Sequence, residues 1–111
     1  MSISRIRLNI AEKIKDPSYR RSFFREQTKL EIAQAIVKLR KARRMTQTDM
    51  ATATGTTQSA ISRIERADYM KWRVQTLLVI AGALDAKLCV KFEPAERVVR
   101  RYRKAESAAT P

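Results

Sequence analysis

The side chains best suited to contact another molecule lie in one stretch, which reads QTDMATATGTTQSAISRIER from Gln47 to Arg66. Its second half places apolar residues among amide, hydroxyl and guanidinium groups. A glutamine amide can donate to and accept from one base edge, and a guanidinium can donate twice to guanine or to a phosphate. The side chains of this type are Thr57, Gln58, Ser59, Ser62, Arg63 and Arg66.

Two short helices must position these groups. Thr46 opens the first helix, because its hydroxyl can accept a hydrogen bond from the amide of Asp49. Gly55 can take the left-handed conformation that ends the helix, and Thr57 then caps a second helix. Ala51 is small enough for the two helices to touch there. The pattern predicts a helix-turn-helix.

The flanking sequence predicts further helices and one strand. Asp16-Pro17 is a helix start, and residues 17–43 form either one long helix or two that break near Thr28. Residues 74–84 form another helix, residues 87–92 alternate as a strand does, and residues 95–104 form a short basic helix. The first fifteen residues fit either a helix or a strand. The expected core side chains are Ile61, Ile64, Leu77, Leu78, Ala81 and Leu84.

The composition limits the class of protein. The chain has 111 residues, 24 Lys and Arg, 11 Asp and Glu, no His and one Cys, with a net charge of +13. Two glycines and three prolines disfavour a turn-rich β fold. With no His and one Cys, the usual zinc frameworks and His-dependent catalysis are excluded, so we expect no enzyme, no metal and no cofactor. The charge favours a polyanionic partner, and no apolar run predicts a membrane span.

The sequence MTQTDMATATGTTQSAISRIER resembles the lambda-repressor/Cro-like (XRE) helix-turn-helix family, with IVKLRKARR before it and VQTLLVIAGALD after it. The resemblance implies a mainly α, lambda-repressor-like bundle. Arg40 and Glu65 match the two positions that form an internal ion pair in the family. Arg66-Ala67 stands where the family often has Asn-Gly, which leaves the shape of the exit loop open.

The resemblance also implies that the partner is double-stranded operator DNA, read by the helix that begins after Thr57. The base-reading residues would be Gln58, Ser59, Ser62 and Arg63. The phosphate contacts would come from Gln47, Thr57, Arg43, Arg44, Arg66, Lys71 and Arg73. Most have a simpler alternative: Gln58 is a solvated first-turn residue, and the flanking cations are only solvated. Arg63 alternatively pairs with Glu65 or with a phosphate, and Ser62 alternatively reaches a phosphate. Trp72 is expected to anchor the fold rather than to stack on a base.

The predicted strand suggests a homodimer. A lone strand has no partner in a helical domain, and pairing with the same strand of a second copy would bury Leu88, Val90 and Phe92. The alternatives are an extension of the preceding helix or a coil. The expected organisation is an N-terminal extension (1–27), a helix-turn-helix domain (28–86), a dimerisation strand (87–93) and a basic C-terminal tail (94–111).

The strand after the fourth helix is similar to that of antitoxins of the HigA and HipB type. We therefore expect a cytoplasmic, nucleoid-associated regulator that represses its own operon and neutralises a toxin protein. The alternative is a phage-type repressor without a toxin; a protein-interaction module or an RNA-binding protein are further alternatives. Tyr19, Phe23 and Phe24 in the extension either bind a partner or pack on the protein itself.

Overall fold

A computed structural model describes residues 9–68 and 72–109, with side chains up to residue 105. Lys71, a predicted phosphate contact, lies outside the described residues. Residues 9–13 are helical. The helices that follow are α1 (Pro17–Ala42), α2 (Gln47–Thr54), α3 (Gln58–Glu65), α4 (Val74–Ala83) and α5 (Ala95–Ala109). The prediction of a mainly helical fold is confirmed.

Helix α1 is continuous over 26 residues, which settles the alternative between one helix and two. Asp16 starts it, with its carboxylate accepting a hydrogen bond from the Ser18 amide at 3.2 Å. Neither glycine nor proline interrupts the helix after Pro17. Ala33, Ile36 and Arg40 are its buried residues and recur at helical spacing.

The chain divides into two units. Residues 27–89 form one, which we call the helix-turn-helix unit, and residues 1–26 with 90–111 form the other, which we call the terminal unit. The core of the helix-turn-helix unit contains Ile36, Met50, Ala51, Ile61, Ile64, Ile80 and Leu84. Trp72 packs half-buried against this core, as an anchor does.

The expected core was wrong at Leu78, whose exposed fraction is 55%. Helix α4 buries Ile80, and Leu84 directly after the helix is buried four residues further on. Leu78 is two positions from Ile80, so helical geometry turns it away from that buried face. Leu77 and Ala81 flank the buried face and are half-buried.

The predicted strand at residues 87–93 is not seen in the single chain. Residues 86–94 have no regular secondary structure, and the described ranges 9–68 and 72–109 contain no strand. A strand needs a second backbone to pair with its amides and carbonyls, and the described part of this chain supplies none. Leu88 lies half-buried in an apolar groove between α1 and α4. Val90 and Phe92 are 70% and 98% exposed.

Most of the expected basic C-terminal tail (94–111) is helical. Helix α5 continues to Ala109, beyond the predicted end near Lys104. Alanine, arginine, lysine and glutamate dominate this stretch, and all of them favour helix. Glu96 lies in its first turn, where a negative charge stabilises the helix dipole.

Four of the helices end in the same hydrogen-bonded turn, in which one residue takes a left-handed conformation. Those residues are Arg44, Gly55, Ala67 and Asp85, with φ of 57°, 70°, 58° and 50°. After α3 the amide of Asp68 donates to the Arg63 carbonyl at 2.9 Å, and that of Ala67 donates to the Ile64 carbonyl at 3.1 Å. The loop after α3 therefore forms a turn that usually has glycine at its left-handed position, although alanine occupies that position here.

Replacing Ala67 by glycine is expected to stabilise the protein. A left-handed non-glycine residue costs roughly 1–2 kcal/mol, and glycine regains most of that against an unfolded-state entropy cost of roughly 0.4–1 kcal/mol. We expect Ala67→Gly to raise the free energy of unfolding by about 0.5–1 kcal/mol in urea denaturation. The same change at exposed, helical Ala53 should lower it by about 1 kcal/mol. A loss of stability from Ala67→Gly would contradict this account of the loop.

Candidate nucleic-acid interface

Helices α2 and α3 pack on each other through apolar side chains, and a hydrogen-bonded cap fixes the start of each helix. Met50 and Ala51 of α2 lie in the same core cluster as Ile61 and Ile64 of α3. The Thr46 hydroxyl accepts from the Asp49 amide at 3.0 Å, and the Asp49 carboxylate accepts from the Thr46 amide at 2.8 Å. The hydrogen bond from the Thr46 amide to the carboxylate holds the pKa of the Asp49 carboxyl below its ordinary value. Both ends of α2 are thus fixed, since Gly55 terminates it in the left-handed conformation.

Helix α3 has one buried face and one polar face. Ile61 and Ile64 are buried, whereas Gln58, Ser59 and Arg63 are exposed and Ser62 is half-buried. At about 100° per residue, the four polar side chains fall within one sector opposite the isoleucines. The sequence therefore places all four predicted base-reading residues on one accessible surface.

Thr57 caps this helix. Its hydroxyl oxygen accepts a hydrogen bond from the Ala60 amide at 3.1 Å. The hydroxyl proton stays available as a donor, so capping is compatible with the predicted phosphate contact. The amides of the first turn of α3 also point out of the helix end, where an anion is favoured.

Arg40 and Glu65 form an ion pair between α1 and the end of α3. The Arg40 Nε and Nη2 atoms donate to the two carboxylate oxygens of Glu65 at 2.6 and 3.0 Å. The side chains are only 11% and 5% exposed. Arg40 also donates through Nη1 to the Met45 carbonyl at 2.7 Å. The hydrogen bonds from Arg40 to Glu65 raise the pKa of the arginine above its ordinary value.

A chain of hydrogen bonds leads from this ion pair to the surface of α3. Gln47 donates through Nε2 to Oε1 of Glu65 at 3.1 Å. Gln58 donates through Nε2 to Oε1 of Gln47 at 2.6 Å. Arg40, Glu65, Gln47 and Gln58 therefore form one connected network, which we call the amide relay.

The amide relay fixes the orientation of both glutamine side chains. An ionised carboxylate only accepts, so the NH₂ group of Gln47 must face Glu65 and its carbonyl must face outward. Gln58 must then turn its own NH₂ group toward Gln47. This leaves Gln58 with a free carbonyl oxygen and one free N–H, which match N6 and N7 of adenine.

The predicted phosphate contacts lie at several different places. Arg43 donates to the carbonyls of Leu84 and Asp85 at 3.0 and 3.2 Å, so its guanidinium caps the end of α4. Arg44 and Arg66 are exposed in the turns that follow α1 and α3. Arg73 is exposed at the residue preceding α4 and borders a cleft beside α3.

Two roles seen in the structure have no clear signal in the sequence. The bond between Gln47 and Gln58 joins residues eleven positions apart, and no spacing rule predicts it because it depends on the angle between α2 and α3. The contact of Arg43 with the end of α4 spans more than forty residues. A basic residue at this position is as typical of an exposed surface charge as of a contact with a distant helix end. The sequence therefore carried no signal that distinguishes the two roles of Arg43.

The described residues hold no group of three His, Cys, Asp or Glu side chains that could bind a metal ion. In the same part of the chain, no helix combines the length and the apolar character that crossing a bilayer requires.

A comparison with known protein families gives a match to this region. Residues 36–90 match a family model described as helix-turn-helix. The match agrees with the resemblance of this segment to XRE-type helix-turn-helix proteins, and a helix-turn-helix of this type suggests a DNA-binding transcriptional regulator. No curated protein and no solved structure gives a significant match to the chain.

Proposed function

We propose that this protein is a sequence-specific operator-binding repressor rather than an enzyme, and that it reads DNA through the exposed face of α3. The observation that carries the proposal is the amide relay, which presents the carbonyl and one N–H of Gln58 in a fixed orientation. A bidentate glutamine reads adenine in the major groove. The hydroxyl and guanidinium groups of Ser59, Ser62 and Arg63 extend the reading face along the helix.

Binding-site selection from a random duplex library tests the proposal. We expect the full-length protein to enrich one motif, and fluorescence anisotropy to give that motif an affinity roughly 10³-fold or more above a shuffled duplex. Affinity for both duplexes should fall steeply with salt, since phosphate contacts release counterions. A single-stranded RNA of the same sequence serves as the competitor. Absence of enrichment, or equal competition by the RNA, would contradict the proposal.

We further propose that the protein works as a homodimer joined through residues 87–93. One helix-turn-helix contacts only a few base pairs, and two half-sites about one helical turn apart supply useful specificity. Val90 and Phe92 support the proposal, because large apolar side chains at 70% and 98% exposure are stabilised by a partner surface. Pairing of this segment with its copy would also satisfy its backbone groups.

Phe92→Asp is expected to convert the dimer to a monomer in sedimentation velocity, because a buried carboxylate opposite its own copy is unfavourable. Lys91→Asp is the matched control, since neighbouring residues of a strand face opposite sides. The control should sediment as the unaltered protein does. Identical sedimentation of the Phe92 variant and the unaltered protein would contradict the paired strand.

For the biological role we propose an antitoxin that acts in the cytoplasm at the nucleoid and represses its own operon. One support is the resemblance of the sequence to XRE-type proteins and to antitoxins of the HigA and HipB type. The other is a cluster of aromatic residues in the terminal unit. Tyr19 stacks on Phe23 at 6.2 Å, and Phe23 meets Tyr102 edge-on at 5.9 Å. Tyr19 keeps 36% of its surface exposed, which leaves an edge for a partner protein.

Co-expression with the product of the adjacent gene tests the antitoxin role. We expect a stable complex in size-exclusion chromatography and relief of growth arrest caused by that product. If neither occurs while operator binding is intact, the phage-type repressor without a toxin is the better description.

A further inference from the structure

The terminal unit carries more of the net charge than the domain that reads DNA. Residues 1–26 and 90–111 hold 13 basic and 6 acidic residues, so they supply +7 of the total of +13. The amide relay and the polar face of α3 account for none of this charge. Like charges on a small unit repel one another, and a bound anion would relieve that repulsion.

Part of this charge converges on one groove. The terminal unit contains a groove with a volume of about 450 Å³, which is lined by Lys15, Arg20, Arg100 and Arg103. Glu96 also lines it, and Lys15 pairs with Glu12 at 3.0 Å, so two carboxylates offset two of the four positive charges. No carboxylate in the described residues pairs with Arg100 or Arg103, so their guanidinium groups keep their donors available.

The groove is held in shape by the packing of the unit. Arg20 donates through Nη1 to the Ile14 carbonyl at 3.3 Å, and Ile14 is fully buried. On α5, Val98 is buried and faces the unit, while Arg100 and Arg103 lie three residues apart on the neighbouring, exposed face. The cations therefore project from ordered elements rather than from a loose tail.

The chemistry of the groove fits phosphate groups. Guanidinium groups match phosphate oxygens in a bidentate way, and lysine adds a point charge. The remaining lining residues are Ala95 and Val99, so the groove offers no aromatic ring for stacking and no amide for reading a base. Contacts of this kind position a protein on nucleic acid without selecting its sequence.

We propose that Lys15, Arg20, Arg100 and Arg103 form a second DNA contact that binds backbone phosphates in addition to those reached from α2 and α3. The inference rests on the proposed function and extends it. The protein would thus grip its operator through two separate surfaces, of which only α3 selects the sequence.

The salt dependence of operator binding tests the second contact. Each phosphate contact contributes about 0.9 to the slope of log K against log salt. We expect the double variant Arg100→Gln and Arg103→Gln to lower the magnitude of that slope by about 1 to 2, and to weaken selected and shuffled duplexes by the same factor. Glutamine favours helix almost as strongly as arginine, and thermal unfolding checks that the fold is kept.

Arg97→Gln with Lys104→Gln is the matched control, because it removes the same charge from α5 at residues that do not line the groove. The control should leave the slope within about 0.5 of the value for the unaltered protein. Equal slopes for the groove variant and the unaltered protein, or equal losses in both double variants, would overturn the second contact. Titration with triphosphate alone tests whether the groove is instead a site for a free anion. If the groove variant loses triphosphate binding but keeps the salt slope of DNA binding, the second DNA contact is also overturned.

If the unaltered protein selects no operator at all, the proposed function itself fails. That result is distinct from a selected operator whose salt slope the groove variant leaves unchanged.

Discussion

Arg40→Ala is expected to destabilise the protein by roughly 3–5 kcal/mol, the typical loss when one partner of a buried ion pair is removed. Glu65 would keep a charge at 5% exposure with its principal donor gone. The Met45 carbonyl would lose its bond from Arg40 as well. Because a domain of this size is stable by about 5–15 kcal/mol, the variant should unfold at much lower denaturant concentration.

Lys41→Ala is the matched control, since Lys41 is the exposed neighbour on the same helix and also carries one positive charge. It should change the free energy of unfolding by no more than about 0.5 kcal/mol. Urea denaturation followed by circular dichroism measures both variants. Equal stability of the two would mean that the ion pair does not hold α1 to α3.

Removing both charges of the Arg40–Glu65 ion pair should destabilise the protein less than removing the charge of Arg40 alone. The double variant Arg40→Met and Glu65→Leu leaves no unpaired charge in the interior, so we expect it to be more stable than Arg40→Ala alone. It also removes the acceptor that orients Gln47. The double variant should therefore fold and yet read DNA less selectively.

Gln58→Ala is expected to weaken binding to the selected operator by about 1–3 kcal/mol, which corresponds to roughly 5- to 150-fold. The loss should be confined to one base-pair position, where the preference for adenine disappears. Anisotropy against a set of duplexes substituted at single positions measures this. A uniform loss on every duplex, shuffled DNA included, would identify Gln58 as a backbone contact.

The variant Gln47→Ala tests whether Gln47 orients the side-chain amide of Gln58. Gln47 accepts the 2.6 Å bond from Gln58, so Gln47→Ala should allow the Gln58 amide to rotate and should lower the adenine preference. Because the two residues act through one amide, the double variant should lose much less than the two single losses added together. Additive losses would show that Gln47 acts independently, for example on a phosphate alone.

The local signals in the sequence were sufficient to locate the helix-turn-helix. Thr46, Gly55 and Thr57 have side-chain or backbone properties that act within a few residues, and the structure places all three at helix ends. The periodicity of Ile61 and Ile64 likewise fixed which face of α3 is polar. The match of residues 36–90 to the helix-turn-helix family confirms that part of the prediction.

Features that depend on distant parts of the chain were not predictable in the same way. Residues 87–93 alternate like a strand, but a strand also needs a partner backbone, and the local pattern does not report whether one exists. Arg43 was expected on DNA, whereas its donors reach two carbonyls at the end of α4. Only the packed arrangement of α1 and α4 brings those atoms together.

The exit loop after α3 shows a third kind of limit. Ala67 stands where a glycine is expected, and the sequence alone left the loop open. The structure keeps the left-handed turn at φ 58° with both closing hydrogen bonds. Packing of Ile64 and the ion pair at Glu65 hold the end of α3 and outweigh the local preference of alanine.

Nitrogen-15 NMR titration with the selected duplex shows whether the polar face of α3 lies against DNA bases. We expect the backbone amides of residues 57–63 and the side-chain amide of Gln58 to show the largest shift changes at saturation. A saturated complex in which those signals stay unchanged, while others move, would contradict this placement of α3.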